Sequence, residues 1–213
     1  NGVYGLTKGQ FSASADVGST SKRGEANEQA PIDPVLLALS IGATFVARSF
    51  SGDKKQLVPI LKAGLAHKGL ALVDVISPCV TFNDHEGSTK SYKYTREHEV
   101  EAVHADYVPV HTEITLPDSG KDALRVVQMH DGSSVRLRST AADYDPTDRT
   151  SAYAHVRACQ ARGEIATGLL FVDEQSRDMH DLLKTPATPL VDLPLDKLCP
   201  GAAALDALMA RYR

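Results

Sequence analysis

The chain has 213 residues, with 23 Lys and Arg against 27 Asp and Glu, and a formal net charge of −4. That length bounds one domain or one and a half. The acidic balance offers no basic surface for nucleic acid or an anionic membrane, and no apolar run approaches the roughly 20 residues that cross a bilayer. Three scattered cysteines, Cys79, Cys159 and Cys199, are odd in number, argue against a disulfide framework and suit a reducing cytosol.

The chain opens on Asn1-Gly2-Val3-Tyr4-Gly5-Leu6-Thr7-Lys8-Gly9-Gln10, a polar loop punctuated by glycine, with no initiator Met. Gly2, Gly5 and Gly9 permit positive φ and close approach of backbone to an anion. Taken alone, such a stretch reads equally as a surface turn. Residues 12–31 are rich in Ser, Ala, Gly and charge and read as an irregular excursion. Asp33-Pro34 then reads as an N-cap followed by proline at the first helical position, opening a short buried helix through Val35 to Leu39. Thr44 to Ala47 is a strand candidate.

Residues 54–67 read as a helix with Leu57, Ile60, Leu61 and Leu65 on one face and Gly69 just past its end. Pro59 inside it implies either a later start or a kink. Residues 70–76, Leu-Ala-Leu-Val-Asp-Val-Ile, form a near-continuous apolar run, the signature of a strand buried on both faces of a parallel sheet. This order of helices and strands predicts βα units with a right-handed crossover. Residues 85–96 read as a polar loop and 97–107 as a helix. Residues 124–129 and 135–138 flank Asp131-Gly132 as a hairpin. A helix over 149–162 ends at Gly163, a strand follows over 165–172, and residues 202–212 read as an amphipathic helix. Its proline-rich lead-in, 186–200, reads as an extended segment wrapping a neighbour.

Few residue patterns point to chemistry. Magnesium takes oxygen ligands and bridges to phosphates, so the side-chain oxygen of Asn1 and a carbonyl two residues on are suitable neutral ligands. Cys79 lies just beyond a strand end, where ligands bind in open α/β sheets; its bland reading is a small core residue. No second cysteine lies at iron–sulfur or zinc spacing. Lys8 and Lys55 read as solvated charges, although two ammonium groups aimed at one pocket would pair well with a carboxylate. The eight histidines form no metal pattern. No Gly-x-Ser-x-Gly elbow, Gly-x-Gly-x-x-Gly or P-loop occurs.

Two strings carry a resemblance: Tyr4-Gly5-Leu6-Thr7-Lys8-Gly9-Gln10 and Asp74-Val75-Ile76-Ser77-Pro78-Cys79-Val80-Thr81-Phe82-Asn83. Together they resemble the β subunit of 2-oxoacid:ferredoxin oxidoreductases, most closely the 2-oxoglutarate type. Weaker matches are 42–48, 88–92, 168–171 and 189–201. The resemblance implies an α/β fold, namely the C-terminal part of a thiamine diphosphate-binding fold with a parallel sheet flanked by helices. It adds a family-specific C-terminal extension, with 1–77 completing the cofactor domain and 78–213 forming the C-terminal region, and with an upstream portion missing.

In that reading Asn1 is a side-chain magnesium ligand, Val3 a carbonyl ligand, and residues Asn1, Gly2, Val3, Tyr4, Gly5, Leu6 and Thr7 hold thiamine diphosphate. Leu6, Lys8 and Lys55 shape the substrate pocket. Cys79 is the fourth ligand of a [4Fe–4S] cluster whose other ligands come from the N-terminal region. Cys159 and Cys199 match nothing in the family and are read as structural. The resemblance names no acid, base or nucleophile within the chain. The implied reaction is oxidative decarboxylation of 2-oxoglutarate with coenzyme A, giving succinyl-CoA, carbon dioxide and reduced ferredoxin, in a cytoplasmic hetero-oligomer with an α subunit. Alternatives are a pyruvate or broad 2-oxoacid enzyme, or a non-oxidative thiamine diphosphate-dependent decarboxylase or synthase. Cys79 in its motif argues against the last.

Overall fold

Asp33 and Pro34 start the first helix as their residue types dictate. Asp33 accepts hydrogen bonds from the backbone N–H groups of Val35 and Leu36, and Pro34 occupies the first turn, where no N–H is needed. This helix, α1 (Pro34–Ser40), buries Val35, Ala38 and Leu39. The computed structural model describes residues 2–21, 23–109, 124–129, 132–139, 144–199 and 201–212. Asn1 and Asp131 lie outside them.

Strand β1 (Phe45–Phe50) is buried along its whole length. Helix α2 (Lys54–Ala66) is N-capped by Asp53, which accepts from the backbone of Lys55 and Gln56. Pro59 sits inside this helix rather than before it. The missing Pro59 N–H removes one turn bond, a loss that full burial of Ile60 and Ala63 helps to offset. Strand β2 (Ala71–Ile76) returns parallel to β1, in register from Phe45↔Ala71 to Phe50↔Ile76. The βα unit read from the sequence is therefore present.

The described strands form one sheet in the order β2-β1-β6-β3-β5-β4. Strand β6 (Ile165–Val172) runs antiparallel to β1 and parallel to β3 (Glu99–Val108). Strands β5 (Ser134–Ser139) and β4 (Leu124–Gln128) close the far side as the expected hairpin. The sheet is thus mixed, with parallel pairs at β1–β2 and β3–β6. The apolar run of β2 lies at the sheet edge and is half-buried, so its reading as a strand buried on both faces is corrected. The doubly covered strands are β1 and β6, whose side chains are buried at nearly every position.

Residues 97–107 are a second correction. Helix α3 (Tyr92–His98), N-capped by Ser91, ends where β3 begins, so a strand stands where a helix was expected and a helix turn where a loop was expected. The cause is a register shift between Glu101 and Val103, which buries Ala102 and Val103 in succession and breaks the alternation that marks a strand. Gly168 of β6 lies opposite this shift at φ 87°, and a Cβ there would stand 2.4 Å from the Val103 carbonyl oxygen. Only glycine fits at that position.

Side-chain direction assigns the helices to faces. Arg48 and Ser49 are neighbours on β1 and point to opposite sides. Ser49 donates to Gln56 of α2, whereas Arg48 reaches Asp33 at the start of α1. Helix α4 (Arg149–Ala161) is on the Arg48 side, since its Gln160 donates to Asp33 at 2.6 Å. Both faces of β1 are therefore covered, and Phe45, Val46, Ile60, Val156, Leu169 and Leu170 fill the core between the layers.

Residues 1–176 and 177–213 are separate compact units. The second contains α5 (Met179–Leu183), ended by Lys184 in left-handed conformation, then α6 (Leu195–Leu198) and α7 (Gly201–Met209). A single helical turn over Leu190–Asp192 and α6 interrupt the lead-in that was expected to be extended. No residue of these elements is buried.

Candidate cofactor site

The opening loop is built around a tight turn. Lys8 and Gln10 donate their backbone N–H groups to the Gly5 carbonyl at 2.8 and 3.2 Å, and Leu6–Lys8 form one turn of 3-10 helix. Gly2, Gly5 and Gly9 all adopt positive φ, at 65°, 57° and 79°. Leu6 is the buried anchor, while Tyr4, Thr7 and Lys8 are exposed. Gly5 at φ 57° sits in the left-handed region that favours glycine, and a Cβ there would also require the Gln10 side chain to move.

Beyond β2, Pro78 is buried and Cys79 half-buried. The Cys79 carbonyl accepts from the backbone of Phe82 at 3.1 Å and of Asn83 at 2.7 Å, which folds this segment back on itself. The two loops meet. Asn83 Nδ2 stands 2.8 Å from the point that a Cβ on Gly2 would occupy, with Lys90 Cγ and the Ser14 carbonyl oxygen each 3.6 Å away. The segment carrying Gly2 and Val3 therefore lies beside the Cys79 turn, past the carboxyl end of β2.

A polar clamp supports this contact. Lys90 Nζ pairs with Asp16 Oδ1 at 2.7 Å, and Thr89 donates to Asp16 from both backbone and hydroxyl. Burial pushes the Asp16 carboxyl up, but the bonds from Lys90 and Thr89 outweigh it and hold it below the usual carboxylate range. Next to the clamp is a cavity of about 470 Å³, lined by Asp16, Ile32, Arg48, Asp74, Lys90 and Tyr94 among others. Arg48, only 6% exposed, pairs through Nη2 with Asp33 at 2.6 Å and through Nε with Asp74 at 2.7 Å. Burial disfavours its charge, yet the two carboxylates prevail and raise its pKa further.

Lys55 and Lys8 are both exposed, and Lys55 sits in the first turn of α2, just past the end of β1. No described contact joins the two lysines. Cys159 is buried in α4 with its thiol pushed up by burial, as befits a core residue. Cys199 is exposed in the second unit. Among the described residues no cluster of three or more His, Cys, Asp or Glu could hold a metal ion.

The Arg48–Asp33–Asp74 network and the seating of Gly2 on Asn83 were not read from the sequence. Isolated charges inside the apolar runs Phe45–Phe50 and Ala71–Ile76 were the available signal for the first. The second arises from two segments some eighty residues apart and leaves no pattern in either.

A glycine-closed backbone loop thus lies beside the turn that follows the carboxyl end of β2. Residues 1–75 match the family described as thiamine pyrophosphate enzyme, C-terminal TPP binding domain. The chain is 48% identical over 93 residues to the 2-oxoacid:ferredoxin oxidoreductase subunit beta of Saccharolobus solfataricus, covering 43% of this chain and 30% of that protein. It is 42% identical over 85 residues to the 2-oxoglutarate oxidoreductase subunit KorB of Mycobacterium tuberculosis, covering 39% and 23%. A 2-oxoglutarate:ferredoxin oxidoreductase from Magnetococcus marinus, solved with 2-oxoglutarate, coenzyme A and succinyl-CoA bound, shares the fold. Its TM-score is 0.61 at 23% identity, over all of this chain and 56% of that one. The chain spans less than a third of the length of each of these two relatives.

Proposed function

We propose that the chain is part of the β subunit of a 2-oxoglutarate:ferredoxin oxidoreductase. Such an enzyme converts 2-oxoglutarate and coenzyme A to succinyl-CoA and carbon dioxide, with ferredoxin taking the electrons, together with an α subunit in the cytoplasm. The observation that carries this reading is the seating of the Gly2 loop on the turn that follows Cys79. Both motifs of the resemblance meet at one end of the sheet.

The residues present fit thiamine diphosphate and magnesium. Three left-handed glycines would let the backbone approach an anion closely, and the Val3 carbonyl is a neutral oxygen of the kind magnesium accepts. Asn1 would add its side-chain oxygen, and residues Gly2 to Thr7 would frame the diphosphate. When bound, thiamine diphosphate supplies the electron sink that lets a 2-oxoacid lose carbon dioxide. Cys79 would hold one iron of a [4Fe–4S] cluster, on the turn that lies beside the cofactor loop. Leu6 packs the pocket, and Lys8 and Lys55 offer charge to the distal carboxylate of the substrate. No helix of the described residues is long and apolar enough to cross a membrane. The boundary near residue 77 belongs to this family reading; in packing, strands on both sides of it share one sheet.

Substrate choice tests the proposal. Loss of one charge-assisted bond of about 1.5–3 kcal/mol lowers kcat/KM about 10- to 150-fold. In the assembled enzyme Lys8→Ala is expected to cost 2-oxoglutarate turnover that factor while sparing pyruvate, which has no distal carboxylate. Equal losses on both substrates would remove Lys8 from substrate recognition. A wild-type enzyme that oxidises pyruvate in preference would move the assignment to the pyruvate type.

A further inference from the structure

We infer that Asn83 is a positioning residue for the cofactor loop, acting through Gly2; this rests on the reading of that loop as the diphosphate site. Asn83 is 8% exposed and belongs to the turn closed on the Cys79 carbonyl. Its side-chain orientation follows from a hydrogen-bond relay. The Lys90 backbone N–H donates to Ser88 Oγ at 3.1 Å, so that hydroxyl has its own proton to give. It gives it to Asn83 Oδ1, 2.7 Å away. With Oδ1 turned to Ser88, the Nδ2 group faces Gly2.

Two consequences follow for Gly2. A side chain at position 2 would meet Nδ2, and φ of 65° disfavours any residue but glycine, so the start of the loop is fixed by backbone conformation and by Asn83 together. The amide also places donor hydrogens, not an acceptor, under the part of the loop assigned to the diphosphate. A donor is compatible with an anion held above; a carboxylate in the same place would repel it. Asn83 thereby couples two neighbouring segments: its backbone shapes the Cys79 turn, and its side chain sets the height and direction of the loop beside it.

Asn83→Asp in the assembled enzyme isolates the side-chain role. It keeps the size, the backbone bond to Cys79 and an oxygen for Ser88, but replaces the donor facing Gly2 with a charged acceptor. Titration calorimetry with thiamine diphosphate and magnesium, alongside iron and sulfide analysis and a melting curve taken without the cofactor, gives three readouts. The expected result is about ten-fold or greater weakening of thiamine diphosphate binding. Iron content and the cofactor-free melting temperature should stay at wild-type values. Ser88→Ala, which frees the amide to turn over, should weaken binding in the same direction by a smaller factor. Unchanged affinity in Asn83→Asp overturns the inference while wild-type binding still supports the cofactor loop. Iron loss and a lowered melting temperature in proportion to the affinity loss also overturn it, since Asn83 would then serve only the fold. A wild-type enzyme that fails to bind thiamine diphosphate overturns the parent reading and this inference with it.

Discussion

The centre of the sheet and the loop layer beyond the carboxyl ends of β1 and β2 are held by different forces. Strands β1 and β6 are buried almost throughout and packed by Phe45, Val46, Leu169 and Leu170, with the backbone contact at Gly168 leaving no room for a side chain. The loop layer has few buried apolar residues. It depends on left-handed glycines, the Asp16–Lys90 clamp, the seating of Gly2 on Asn83 and the Arg48 pairs. A core fixed by volume resists small changes of charge, whereas a layer fixed by polar pairs can change its binding properties without unfolding. Arg48 belongs to both regions, because its backbone is core strand and its head group ties α1 to β2.

Arg48→Met strikes this junction and should be the most destabilising change. It leaves Asp33 and Asp74 without their counter-charge, and breaking a buried pair in this way costs about 3–5 kcal/mol. Denaturant midpoints check it, and adding Asp74→Asn should recover part of the loss. Full stability in the single variant would mean that the loop layer does not depend on this tie. Gly168→Ala tests the core alone. Left-handed strain costs about 1–3 kcal/mol before the clash with Val103 is counted. Its melting temperature should fall with no selective effect on cofactor affinity.

Asp16→Asn tests the loop layer alone and should be the mildest of the three, at about 1 kcal/mol near neutral pH. The Asp16 carboxyl titrates below its ordinary value in the fold. Its contribution is therefore complete above the unfolded value, about pH 4, and is lost as pH falls through the lower folded value. Melting temperatures of wild type and Asp16→Asn should differ at about pH 6, and the difference should shrink as pH falls below about 4. A difference that grows on acidification would contradict the clamp.

The same contrast explains what was legible in the sequence. Local rules were enough for Asp33-Pro34 as a helix start, Gly163 as a helix end and the hairpin around Gly132, since each depends on a few neighbouring residues. Periodicity failed for residues 97–107 because the bulge beside Gly168 hides the strand alternation. Hydrophobicity failed for β2 because an apolar run does not say which of its edges is paired. In the candidate site, the two motif loops were visible as strings. Their meeting at Gly2 and Asn83, and the choice of Arg48 as partner for both Asp33 and Asp74, are long-range facts that only the fold supplies. The described geometry does not bring Lys8 and Lys55 into contact, so their pairing rests on the family reading.

The most direct test of the account is Cys79→Ser in the assembled enzyme, with iron and sulfide content and thiamine diphosphate affinity measured on the same preparation. In the proposed reading Cys79 and the glycine loop, which are adjacent, serve different groups. The predicted result is loss of the iron–sulfur cluster with cofactor affinity close to wild type. Unchanged iron and sulfide would make Cys79 an ordinary half-buried residue and contradict the assignment of this end of the sheet.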